Sequence, residues 1–171
     1  MLFSREGQFV LSSDGVMTPK SAKVDQITSF DYSDTAQPLG VGQSIFFISN
    51  RVNYCSLMRY YTVQDVADLK DAEDVSAHVP TYIPKGIFRL SGNTADNVIT
   101  LCSRTHPNTV WVFKYIIQNS QSMQQSWCKW AFRYEGTQVL LAEFVGSEIY
   151  FLINTDGGLF LEKSMITGQA E

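Results

Sequence analysis

Long apolar runs, histidines, paired cysteines and clustered basic residues are all scarce in this sequence, and each scarcity removes a class of function. No stretch reaches the about 18 consecutive apolar residues of a membrane-spanning helix, and the opening MLFSREGQFVL lacks the charged and then apolar regions of a secretory leader. A soluble chain is expected. The three cysteines, Cys55, Cys102 and Cys128, form no CxxC pair and stand at no zinc-ligand spacing from a histidine. They read as free thiols packed as small apolar groups in reducing surroundings. The 13 Lys and Arg are scattered among 17 Asp and Glu, a formal charge of −4. Tight nucleic-acid binding is disfavoured, because that affinity comes from clustered cations releasing counterions. A mild negative balance does suit a wall past which DNA slides without sticking.

Catalytic and cofactor motifs are missing as well. The chain has no GxSxG elbow, no GxxxxGK[ST] loop and no GxGxxG after a strand; Gly40-Val41-Gly42 is a bare GxG whose ordinary meaning is a loop. His78 and His106 both lie close to prolines, in expected loops, and read as surface residues rather than general bases. A hydrolase acting on the cell envelope would need paired carboxylates, and no pair is assignable among the isolated Asp and Glu. No enzyme, metal or cofactor is expected. Trp111, Trp127 and Trp130, with Phe113, Phe132 and Tyr134, invite a stacking role on sugar or nucleic acid. They sit at strand spacing among aliphatics and without a basic groove, so core packing is the better reading.

What the sequence does hold is β-forming residues in quantity. Of its 171 residues 44% are hydrophobic and only 18% charged, enough for one or two cores. The apolar residues come in short β-branched and aromatic blocks separated by Gly, Asn, Asp, Ser and Pro, which is the pattern of strands. Strands are expected near residues 8–12, 44–49, 54–63, 86–91, 97–103, 109–117, 127–134, 137–145, 148–154 and 159–164. Asp14-Gly15, Glu135-Gly136, Gly146-Ser147 and Asp156-Gly157 read as tight turns, so the expected fold class is all-β, built of antiparallel meanders.

Several of these strands are apolar on both faces. In 109–117, Val110, Val112 and Ile116 oppose Trp111, Phe113 and Tyr115; in 148–154, Ile149, Phe151 and Ile153 oppose Tyr150 and Leu152. Such strands are expected to lie between two other sheets. Residues 127–134 instead alternate as a half-exposed strand would. Doubly buried strands followed by half-exposed ones fit the blades of a β-propeller, inner strands dry and outermost partly wet. Known blades take about 40 to 50 residues and a ring about four to eight blades, so this chain is either an incomplete set of blades from a longer protein or a compact sandwich. The expected division is 1–63 for N-terminal strands and a first sheet, 64–85 for an exposed acidic insertion, and 86–134 and 135–171 for two blade-like units.

The insertion breaks the strand pattern. Residues 64–77, QDVADLKDAEDVSA, are acidic and poor in strong apolars, and lead to Pro80 and Pro84. A short helix followed by an extended stretch is expected there. The run lacks the alternating ligands, central Gly and closing Glu of a calcium loop.

Certain phrases carry a likeness. QFVLSS followed by Thr-Pro-Lys, VGQSIFFIS, MRYY and above all AEDVSAHVPTYIP resemble the nozzle proteins (tail tubular protein B) of short-tailed bacteriophages. From Val98 onward, Trp127-Cys128-Lys129-Trp130 and VGSEIYFLIN share the texture of that family's propeller strands. The resemblance implies a non-catalytic structural piece of a longer virion tail protein, containing a β-propeller and forming a ring at the distal tail end through which DNA leaves. Implied partners are further copies of itself in a six-fold ring, the adaptor ring (tail tubular protein A) and tail fibres. The resemblance supplies no residue-level contacts; from the acidic insertion itself, Asp68, Asp71, Glu73, Asp74, His78 and Tyr82 mark a candidate assembly or fibre-facing surface, with a solvated loop capping the propeller rim as the equal alternative. The 171 residues alone are expected to be monomeric or weakly associated. The alternative function is a propeller or sandwich module holding a host surface carbohydrate over Trp111 or Trp130.

Overall fold

The structure, a computed structural model, describes residues 1–62, 70–118, 121–134 and 136–166. Among them are fourteen strands and no helix, arranged in four antiparallel sheets. The first sheet has β1 (Leu2–Ser4), β2 (Gly7–Ser13) and β3 (Ala22–Thr28), and the second β4 (Leu39–Val41), β5 (Ser44–Asn50), β6 (Cys55–Thr62) and β7 (Lys70–Asp74). The third has β8 (Ile87–Asn93), β9 (Val98–Ser103), β10 (Thr109–Gln118) and β11 (Gln121–Ala131), and the fourth β12 (Gln138–Val145), β13 (Glu148–Thr155) and β14 (Gly158–Met165). Every strand pairs with its neighbour in the chain, so each sheet is a meander. Tight turns enforce this: Gly146 takes φ of 64° between Val145 and Glu148, which face each other across the hairpin, and Gly15 takes 99°.

Alternation decides how the sheets stack. On β5, Phe47 faces the first sheet with Met58 and Tyr60 of β6, while Phe46 and Ile48 face the third with Leu57. On β10, Trp111, Phe113 and Tyr115 turn to the second sheet, and Val110 and Val112 turn to the fourth, where they meet Val139, Ala142, Ile149, Phe151 and Ile153. The second and third sheets are therefore covered on both faces, as the doubly apolar β10 requires. Each fully buried Phe removes enough apolar area to contribute about 2–3 kcal/mol. Stacking order equals chain order, first sheet to fourth. Between neighbouring sheets, β8 touches β4 on one side and β12 on the other, whereas the first sheet reaches the second through β3 and β7. Gln8, fully buried, fastens the first sheet by donating from Nε2 to the Phe30 carbonyl at 2.9 Å.

The structure departs from the sequence reading at identifiable places. The acidic segment is not a helix where it is described: residues 63–69 lie outside the described residues, but Lys70–Asp74 is a strand on the edge of β6. Nor is it wholly exposed, since Ala72, Val75, Ser76 and Ile83 are buried. The reason is a two-residue period hidden in the acids, with Ala72 turned to the first sheet's core and Glu73 set opposite Arg59. Strand β11 starts at Gln121 and ends at Ala131, a polar stretch that pairs because β10 offers it an edge. Cys128 and Lys129 are exposed while Trp127 and Trp130 are half-buried, the half-wet character expected of it. Strands β1, β3 and β4 were not anticipated, being short or apolar-poor. The two-sided burial expected of β13 holds on one face only, with Ile149, Phe151 and Ile153 buried and Tyr150 and Leu152 half-buried. Ile116 of β10 is exposed.

Candidate assembly surface

The six residues singled out in the acidic insertion do not share one environment. Asp68 lies outside the described residues. Asp71 has its backbone in β7, paired with Tyr61. Glu73 accepts from Arg59 Nη1 at 2.8 Å, and Arg59, 3% exposed, also donates from Nε to Ser44 Oγ at 3.0 Å. Asp74 caps the turn after β7, accepting from the Ser76 N–H at 2.9 Å and hydroxyl at 2.6 Å, with Arg51 3.8 Å away. Tyr82 is half-buried; its carbonyl accepts from Trp111 Nε1 at 2.9 Å, Trp127 meets its ring edge-on at 6.3 Å, and Lys129 Nζ stands 4.4 Å from the ring centre. His78 is exposed in the following turn. Glu73, Asp74 and Tyr82 thus tie the segment to the second and third sheets.

The aromatic residues are mostly spent on packing. Trp111 is 2% exposed and offers no open face to a sugar; Trp130 is half-buried and meets Phe151 edge-on at 6.1 Å. His106 lies edge-on to Trp111 at 5.5 Å, with Thr105 Oγ1 3.0 Å from Nδ1. Burial pushes the Cys102 thiol up to about 12 and raises Cys55 too, so these two thiols stay protonated and are poor nucleophiles at neutral pH. Among the described residues no three His, Cys, Asp or Glu gather as a metal site would need.

Surfaces that the sequence reading passed over are the free ends of the stack. The β2–β3 hairpin exposes Leu11, Val16, Met17 and Val24. The fourth sheet exposes Val145, Leu159, Leu161 and Met165, and beside them Lys163 donates to Glu148 Oε1 at 2.8 Å while Tyr150 donates to Oε2 at 2.8 Å. Those hydrogen bonds hold the Glu148 carboxyl below its ordinary range, Lys163 contributing most. The signal was in the sequence: alternate positions of GLFLEKSM place Leu159, Leu161 and Met165 on one face of the strand. A cleft of about 330 Å³ lies beside the Arg89–Glu143 pair, lined also by Thr35, Gln37, Pro38, Leu39, Phe88 and Leu90. Its charged groups already satisfy one another.

A stack of β-meanders with ion pairs between its strands and apolar side chains exposed on the β2–β3 hairpin and on the fourth sheet offers surface for assembly. The family model of the bacteriophage nozzle protein matches residues 1–171, and the tail tubular protein gp12 of Escherichia phage T7 is 37% identical over 170 residues, 99% of this chain. The chain belongs to the bacteriophage nozzle protein family and is a component of the virion tail. It spans about a fifth (21%) of the length of the T7 relative.

Proposed function

We propose that this chain is an architectural, non-catalytic segment of a phage tail nozzle, the ring at the distal end of the tail that conducts DNA and holds the fibres. The observation that carries the reading is the stack itself, in which four meanders follow one another in space in chain order. The second, third and fourth sheets are its β-propeller blades, arranged about the line where the first strands β4, β8 and β12 meet, and residues 86–134 and 135–171 form two of these units. The first sheet meets its neighbour at the outer strand β7 and stands outside that radial set. Partners are further copies in a six-fold ring, the adaptor ring and the fibres. The acidic segment around Asp71 and His78 is one assembly surface, and its charge, with the net −4, leaves passing DNA unbound.

Cryo-electron microscopy of virions carrying a small tag in the exposed Asp14-Gly15 turn tests this. Six-fold tag density at the distal tail, with blades radiating from β4, β8 and β12, is expected. Tag density on the capsid, or turnover of a polysaccharide by the purified chain, overturns it.

A further inference from the structure

We propose that β14 is an interior strand in the full tail protein, its free edge pairing with a fourth antiparallel strand of the same polypeptide. The second and third sheets each have four strands, the fourth has three. The outermost strands of the complete sheets are polar: β7 reads KDAED and β11 begins QSMQQS. Such polar sequences suit a solvent-facing edge, and in β7 the charges also deter stray pairing. Strand β14 reads GLFLEKSM, has no proline, and pairs with β13 over eight unbroken positions, so its other edge is regular and its first half is apolar. Its one lysine, Lys163, is engaged by Glu148.

Burial shows the same mismatch. Strand β10, third in its sheet as β14 is, buries Val110, Trp111, Val112 and Phe113. Phe160 lies opposite Ile153 and so on the core side of the fourth sheet, yet it is 47% exposed, and Leu161 beside it is 68% exposed. An added strand would flank Phe160 on the core side, whereas Leu161 lies on the opposite face. Ile166, immediately after β14, packs against that same core.

The occupant is the protein's own chain rather than a second copy. Every sheet here is a meander in chain order, so the partner of β14 is the next strand of the polypeptide. A protein of the T7 relative's length has ample chain to supply it, since these residues match only 21% of it. Two copies of β14 meet less well. Residues directly opposite share a face, so the registers overlapping most of an antiparallel β14 pair set Phe160 against Glu162 and Leu159 against Lys163, or Glu162 against its own copy. The inference uses family membership for chain length but needs no closed propeller, so its failure leaves the nozzle reading standing.

Amide hydrogen exchange followed by mass spectrometry, on the 171-residue chain and on the full-length tail protein as a monomer, tests it. Peptides spanning 158–165 should exchange more than about tenfold more slowly in the full-length protein. Alkylation of a Phe160→Cys variant in a Cys128→Ser background should slow in parallel, a second readout that does not depend on exchange. Equal fast exchange in both proteins overturns the proposal. So does protection of the 171-residue chain that grows with its concentration, which would make a second copy the occupant.

Discussion

Arg89 on β8 and Glu143 on β12 form the polar clasp between the third and fourth sheets. Arg89 Nε donates to Glu143 Oε2 at 2.9 Å, Ser91 Oγ donates to Oε1 at 2.9 Å, and Ser91 Oγ in turn accepts from the Phe144 N–H at 3.0 Å. Asn93 adds a bond from Nδ2 to the Gly146 carbonyl at 2.9 Å. The clasp sits where β8 and β12 meet, so it sets the position of the fourth sheet against the third, while the apolar core behind it supplies the adhesion.

Glu143→Ala should lower stability by about 1–2 kcal/mol, because it strips partners from both Arg89 and Ser91. Arg89→Met should cost less, since both side chains are partly exposed, 42% and 32%, and water screens the charge. A double-mutant cycle by urea denaturation should return a coupling of about 0.5–1 kcal/mol that shrinks in high salt. Simple additivity would show that the clasp does not act as a unit.

Gly92 lets the first strands of the second and third sheets approach. A Cβ built there would stand 3.0 Å from Val41 Cγ2, 3.1 Å from Leu39 Cδ2 and 3.2 Å from the Val98 carbonyl oxygen. Gly92→Ala should therefore destabilise by about 1–3 kcal/mol as β4 and β8 are forced apart. Gly40, on β4, is the control: nothing lies within 4 Å of its Cβ position, and Gly40→Ala should melt within a few degrees of the parent. Equal melting temperatures for both variants would mean that the strands separate freely.

The doubly apolar strand β10 was legible because its two faces carry different side chains for different neighbours, Trp111 and Phe113 for one sheet and Val110 and Val112 for the other. Strand β13 carries a similar pattern, yet its second face, Tyr150 and Leu152, is only half-buried, so pattern reports what a face wants and not whether it is met. Strand β7 was hidden because its acids dominate the composition while a single residue, Ala72, turns to the core. The candidate surface was legible only as an acidic run. That Glu73 answers the buried Arg59 depends on a partner fourteen residues back, and no local signal carries such a pairing.

Cys102 should make stability fall in alkali. Burial raises its thiol from 9.0 to about 12, so the folded state keeps the proton after the unfolded chain has lost it. The contribution is complete below pH 9.0 and is lost as pH climbs to about 12. Tyr60 and Tyr115, whose phenols burial also raises, act in the same direction. Denaturation midpoints measured across that range should decline, and Cys102→Ala should flatten the decline whatever it does to stability at neutral pH. At pH 8, alkylation of the native protein should mark the exposed Cys128 well before the buried Cys55 and Cys102.

Phe113 is where truncation should do most damage. Its ring stacks on Tyr115 at 5.4 Å and 23°, meets Trp127 at 4.7 Å and faces the edge of Phe46 at 6.5 Å, joining three strands of two sheets. Phe113→Ala opens a cavity among groups already fixed by other contacts, Trp111 by its bond to the Tyr82 carbonyl and Phe46 by full burial, so little collapse can fill it. A loss of about 3–5 kcal/mol is expected. Tyr134, 80% exposed, should give less than about 0.5 kcal/mol on the same truncation. Calorimetry that put the two variants level would mean that the second and third sheets are not held by this aromatic cluster.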